Sequence, residues 1–267
     1  MAVPQFLASA FRYLNLVGVV DVQTIIDGLY TELIANGWTC TVGGTGQTPT
    51  TMVSPVRADR VRLTLTFERS SATRLDLYAY DDNGIWINDA GASVYYITID
   101  AAPTDVELYT SALHCCINSR KSVAATSWNC AVLDNAPSAS LAEPYPFYYC
   151  SGGPDSSATL WMYVFVRAPG DAAYNTSSYC YGRQPYGGTT NNFRFKTMSG
   201  ANMFCPFELC KDGWMLGRVP HMLMTDYGIA PGTDLTVPLD TGVTGTFRVL
   251  GFVPYNTYAH SLCMRKA

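Results

Sequence analysis

Three histidines and nine cysteines carry most of the nucleophilic and metal-binding potential of this 267-residue sequence. His114 stands beside the doublet Cys115-Cys116, His221 follows Pro220, and His260 lies near the end. An imidazole can activate a thiol from any distance along the chain, so Cys115 with His221, or Cys116 with His260, defines a dyad to be tested. Zinc calls for clustered ligands, typically CxxC pairs. Cys205 and Cys210 bracket Pro206-Phe207, and adjacent Cys115 and Cys116 cannot readily face one ion, so no metal is expected. Cys40, Cys130, Cys150, Cys180 and Cys263 make the count odd, which leaves at least one thiol without a partner in its own chain. Cys40 and Cys263 are the expected disulfide cysteines between subunits, formed once the protein leaves a reducing compartment.

The carboxylates and glycines read as turns. Asp81-Asp82-Asn83-Gly84 suits a hairpin, because Asn-Gly tolerates positive φ, and it lacks the alternating ligands of a calcium loop. Gly43-Gly44-Thr45-Gly46 has neither the Lys-Ser or Lys-Thr pair nor the following helix of a phosphate loop. No GxSxG elbow or dinucleotide fingerprint occurs. The expectation is a protein that is not an enzyme, with no catalytic, cofactor or metal residues. Trp86, Trp128, Trp161 and Trp214 offer rings for carbohydrate, although Trp161 lies in an apolar run that reads as core.

The elements that would position these residues are mostly strands. Val22, Ile25, Ile26, Leu29, Tyr30, Leu33 and Ile34 fall on one helical stripe, with Asp21 as N-cap and Asn36-Gly37 as the stop. From Arg60 the period becomes two. Val61, Leu63, Leu65 and Phe67 face one side, and Leu75 and Leu77 continue the pattern. Further strands are predicted at 85–87, 94–99, 106–117, 128–133, 147–150, 160–167, 192–196, 214–224, 234–239, 246–252 and 258–265. The fold class is therefore mainly β with a short N-terminal helix, its antiparallel sheets forming a sandwich or two β subdomains. Residues 1–20 read as an apolar N-terminal contact arm, and 21–170 as the helix plus an antiparallel β domain. Residues 171–191 read as a Tyr/Gly-rich loop, and 192–267 as a C-terminal β subdomain or second sheet. No 18-residue apolar helix is present to cross a membrane, and no secretory signal opens the chain.

Composition points to a covered surface. Only 14% of residues are charged, 13% are aromatic, and the net charge of −4 gives no support to nucleic-acid binding. Subunit interfaces are enriched in Tyr and Trp and depleted in Lys and Glu. Phe6, Leu7, Phe11, Tyr13, Leu14 and Leu16 make the arm more apolar than a solvated segment and are the expected assembly contacts. Tyr174, Tyr179, Tyr181 and Tyr186 mark the loop as the expected binding surface if the protein holds a ligand.

Two stretches carry a resemblance. Residues 21–87 combine a helix ending in Asn36-Gly37-Trp38, the run Ser54-Pro55-Val56-Arg57-Ala58-Asp59 and a strand meander. Residues 217–250 place Arg218-Val219-Pro220-His221 before Gly232-Thr233-Asp234-Leu235-Thr236-Val237-Pro238-Leu239-Asp240 and Gly245-Thr246-Phe247-Arg248-Val249-Leu250. Both resemble structural proteins of tailed-bacteriophage virions, from the neck, tail or baseplate. The resemblance implies a non-enzymatic homo-oligomeric subunit in a symmetric ring or shell, made in the host cytoplasm and located in the virion. Its partners would be copies of itself and other virion proteins, without membrane or nucleic acid. The alternative is a receptor- or glycan-binding module whose partner is a cell-surface glycan.

Overall fold

The structure is a computed structural model. It describes residues 11–56, 61–87, 95–99, 104–120, 128–134, 147–152, 161–167, 172–173, 175–176, 204–211, 214–225, 229–238, 244–255 and 258–266. Side chains are described at 11–56, 61–87, 96–99, 104–120, 167, 172–173, 204, 221–223, 225, 229–238, 244–250 and 262–266. In chain order the elements are β1 (Arg12–Val19), α1 (Val22–Ala35), β2 (Thr39–Val42), β3 (Thr50–Val53), β4 (Leu63–Ser71) and β5 (Arg74–Asp81). Then come β6 (Tyr95–Thr98), β7 (Thr104–Thr110), β8 (His114–Arg120), β9 (Trp128–Asp134), β10 (Phe147–Gly152), β11 (Trp161–Val166) and β12 (Asn175–Thr176). The chain closes with β13 (Phe204–Lys211), β14 (Trp214–Thr225), β15 (Asp234–Pro238), β16 (Thr244–Tyr255) and β17 (Tyr258–Arg265).

The strands form three antiparallel sheets in a sandwich-like, mainly β fold. The first sheet runs β1-β7-β8-β9-β10-β11-β12, the second β2-β3-β4-β5-β6, and the third β13-β14-β17-β16-β15. Helix α1 lies between the first two. Asp21 caps it through Gln23 N at 2.8 Å, and Arg69 of β4 grips the same carboxylate at 2.8 Å. Val22, Ile25, Ile26, Leu29 and Leu33 are fully buried against Leu63, Leu65 and Phe67 on one side and Val106, Leu108 and Ile117 on the other. Each contributes about 1.5–3 kcal/mol by leaving water. Gly28 allows the close approach: a Cβ there would stand 3.1 Å from Leu108 Cδ1 and 3.2 Å from Leu16 Cδ1.

The arm reading needs correction where it is described. Residues 12–19 are not a free arm but strand β1, paired antiparallel with β7 from Arg12↔Thr110 to Val19↔Thr104. Leu14 and Leu16 point to the helix and join the core, while Tyr13 points to the opposite face. A period of two through an apolar run produces this division, which density of apolar residues alone does not reveal. Phe6 and Leu7 lie outside the described residues. The segment read as one strand over 106–117 is two strands, β7 and β8, joined by a tight turn that Ser111 N closes on His114 O at 2.9 Å. Strand β13 and the short strands β2, β3 and β12 are additional. Ile85–Ile87 forms an isolated bridge, Tyr80↔Trp86, rather than a full strand.

Six consecutive residues of β8, His114 to Ser119, are buried. Alternate side chains point to opposite faces, so both faces of the first sheet are covered there. Cys115 and Ile117 turn to the helix side. The other face meets the third sheet. Phe247 and Val249 of β16 pack with Leu223, Val237 and Cys263 in a smaller core, while the intervening Arg248 reaches across to the first sheet.

Candidate functional site

The densest polar cluster lies where the first and third sheets meet. Glu107 of β7 is fully buried, on the face opposite Val106 and Leu108. Its Oε1 accepts from Arg248 Nε at 2.5 Å, Arg120 Nη2 at 2.9 Å and the Tyr13 hydroxyl at 3.3 Å. Its Oε2 accepts from Asn118 Nδ2 at 2.9 Å and the Tyr109 hydroxyl at 3.2 Å. Five donors from β1, β7, β8 and β16 thus converge on one carboxylate, which has about four lone-pair sites.

The surroundings follow from strand register. Asn15 and Asn118 stand opposite Glu107 in the neighbouring strands, and Tyr13 stands opposite Tyr109, so side chains two residues apart share the face. Arg248 continues to Asp234 at 2.8 Å, and Lys266 meets the same carboxylate at 2.8 Å. The Lys266 ammonium lies 4.7 Å from the centre of the Tyr13 ring. Gly232 completes the seam, because any side chain there would overlap the Arg120 guanidinium.

Burial raises the Tyr13 hydroxyl to about 12, and the nearby charge of Glu107 adds to the rise. Burial likewise pushes Tyr109 well above its ordinary value, again with help from Glu107. Both phenols therefore keep their protons and donate. Partial burial opposes the charge on Arg248, but its bonds to Asp234 and Glu107 outweigh that and hold its pKa above normal. Burial also works against the charge of Asp234, yet Lys266 and Arg248 prevail and lower its pKa. With its lone pairs occupied by donors from β1, β7, β8 and β16, Glu107 fastens the first sheet to the third.

The histidines meet beside this cluster. His114 and His221 are buried with ring centres 5.6 Å apart, and Phe11 lies 5.3 Å from the first and 4.8 Å from the second. Cys115 does not join them. It faces the helix side of the sheet, and burial raises its thiol to about 12, opposite to what a nucleophile requires. The side chain of His260 lies outside the described residues.

Of the expected contact residues, Phe11 touches the buried histidines, Tyr13 holds Glu107, and Leu14 and Leu16 pack on the core. These four side chains are part-buried contacts within their own chain, while Asn15 and Val17 of β1 stay exposed. Cys40 is part-exposed, with its thiol 3.2 Å from Val42 O. Cys263 is fully buried in the third sheet's core, where burial raises its thiol to about 12. That placement removes Cys263 from reach of another chain, since a disulfide needs Cβ atoms within about 4.5 Å. Tyr174, Tyr179, Tyr181 and Tyr186 lie outside the described residues. Among the described residues no group of three or more His, Cys, Asp or Glu side chains could hold a metal ion. No described helix is long and apolar enough to cross a membrane.

No motif in the sequence singles out Glu107. Its signal was present only as the alternation Glu107, Tyr109 and Asn118, Arg120 in two strands that proved adjacent. Compared with known proteins, the sequence matches no family model and no curated relative.

Proposed function

We propose that the chain is a non-enzymatic structural subunit of a tailed-phage virion, one of several copies closed into a ring or shell through sheet edges. The observation that carries this reading is the aliphatic surface at or beside the edge strands. Val17 is 75% exposed and Val20 55% exposed at the end of β1, and Val42 of β2 is 50% exposed, with Val56 after β3 at 78%. Among the described residues, β1 and β2 are the terminal strands of their sheets. Isolated proteins usually protect such edges with charge or proline, whereas β2 has neither and β1 has only Arg12. A neighbouring copy that pairs with an edge would cover the valines and satisfy the strand's outward backbone groups.

The sparse charge and the resemblance of residues 21–87 and 217–250 to virion structural proteins support the same reading. The test is electron microscopy and light scattering of the purified chain across concentrations, alone and with Val17→Lys and Val42→Lys. Closed oligomers that the lysines dissolve are expected. A monomer at every concentration, or oligomers indifferent to both substitutions, overturns it.

A further inference from the structure

The outer face of the second sheet combines aromatic rings with hydroxyl groups in a regular grid. Leu63, Leu65, Leu75 and Leu77 point inward to the helix, which turns the alternate residues of β4 and β5 outward. Register then sets Tyr78 beside Thr66, and Tyr80 beside Thr64. Trp86 is bridged to Tyr80, with ring centres 6.2 Å apart and planes within 25°, and it lies 6.2 Å from Tyr78. One strand further, Tyr96 stands opposite Asp76 and is 40% exposed. The Tyr78, Tyr80 and Trp86 rings remain part-exposed, so the face is open to solvent.

One end of the grid is fixed in place. The carboxylate of Asp76 accepts from Arg74 Nε at 2.6 Å on one oxygen and from the Ser70 hydroxyl on the other. The Arg74 guanidinium in turn lies 4.1 Å over the Tyr96 ring. Asp76 is itself only 7% exposed, so the groups left toward solvent here are the further N–H donors of the Arg74 guanidinium. Next to them the Thr51 and Thr66 hydroxyls are paired at 2.9 Å. The arrangement is a set of planar, held polar groups beside apolar rings.

We propose that this face binds a neutral oligosaccharide, whose C–H faces would lie on Trp86, Tyr78 and Tyr80 and whose hydroxyls would meet the threonines and Arg74, which Asp76 holds in place. Charge selects this occupant. Arg62 and Arg74 face Glu68, Asp76 and Asp82, with Arg62 and Asp82 themselves paired at 3.9 Å, so the face is close to balanced. An anionic polymer would find no excess of positive charge. Val53 is the one aliphatic side chain among the outward residues of β3, β4 and β5, with Val42 of β2 opposite Thr51 at the sheet's edge, so the middle of the face is made of rings, hydroxyls and an ion pair. Ligand sites of this kind join apolar rings with a few placed polar groups. The site goes beyond the assembly role and does not depend on it.

The full chain is applied to an array of neutral hexose and N-acetylhexosamine oligosaccharides, with sialylated and sulfated glycans as controls. Retained neutral oligosaccharides are then titrated calorimetrically. Trp86→Ala and Tyr78→Ala should each weaken binding by about tenfold or more, while Trp86→Phe retains most of it. Raising salt from about 0.05 to about 0.5 M should change affinity by less than about twofold. Parental melting temperatures establish that the variants fold, and Tyr96→Ser tests the far end of the grid should either alanine fail. Three results each overturn the proposal: no neutral oligosaccharide retained at about 1 mM, retention of acidic glycans alone with steep salt dependence, or binding unchanged in the variants. A variant that alters oligomer size while the parent binds no glycan makes the face an inter-copy contact, which also overturns it.

Discussion

Replacing Glu107 by Gln is the sharpest perturbation of the fold, because one atom change acts on five hydrogen bonds and two ion pairs. The carboxylate is fully buried, and its Arg120 and Arg248 partners are 24% and 16% exposed at the side chain. Breaking a buried pair by neutralising one member costs about 3–5 kcal/mol, since the remaining charge stays desolvated. Arg248 retains Asp234 at 2.8 Å and Arg120 reaches some solvent, which places the expected loss at the lower end, about 3 kcal/mol. For a chain of this size each kcal/mol lowers the melting temperature by about 2–4 °C, so a fall of about 6–12 °C is expected. Arg248→Met should cost less, because Glu107 keeps Arg120, Asn118 and both tyrosines. The double variant should then recover part of the Glu107→Gln loss, giving a coupling of about 1–3 kcal/mol in a double-mutant cycle. Urea unfolding followed by circular dichroism supplies the free energies. A Glu107→Gln protein within about 0.5 kcal/mol of the parent, or strictly additive single effects, would refute the idea that this carboxylate fastens the third sheet to the first.

Three other outcomes test separate parts of the structure. Arg69, then the Gln23 amide, lower the Asp21 carboxyl to about 2 from its ordinary 3.8, so its stabilising share is complete above about pH 4 and disappears as pH falls through about 2. Asp21 is more than a third exposed, so after solvent screening that share is about 1 kcal/mol; urea unfolding across the acid range should show it, and Asp21→Asn should abolish it. Under native conditions, iodoacetamide followed by peptide mass spectrometry should modify Cys40 well before Cys115, Cys116 or Cys263, which react only on unfolding. Equal rates at these four positions would contradict the described burial. Val17→Lys should dissolve oligomers yet melt within about 2 °C of the parent at concentrations where the parent is also monomeric, because in the single chain this side chain is largely in water.

The parts legible from sequence were those governed by local periodicity. Helix α1 declared itself through its stripe, Asp21 and Asn36-Gly37, and β4 and β5 through strict alternation of Leu with polar residues. Strand β13 was hidden because Pro206 removes a ladder donor and argues against a strand, yet it sits at a register shift where β14 accommodates it. The turn between β7 and β8 was hidden because Ser111-Ala112-Leu113 contains none of the usual turn residues apart from serine. The Glu107 cluster was illegible for a different reason. Its polar alternation reads as a solvent face, and nothing local announces that Arg248, 141 residues later, will cover it. The grid around Trp86 was half legible: the tryptophan stood out, but its neighbours follow from register between strands.

The pairing of β1 with β7 has a consequence for biosynthesis. Tyr13 reaches Glu107 across 94 residues, so the first strand leaves the ribosome long before its hydrogen-bonding partner exists. At roughly 5–20 residues per second that delay is roughly 5–20 s. During it Leu14, Leu16 and Val17 travel with an open backbone, the period in which a nascent chain is most exposed to chaperone capture or to a neighbour on the same messenger.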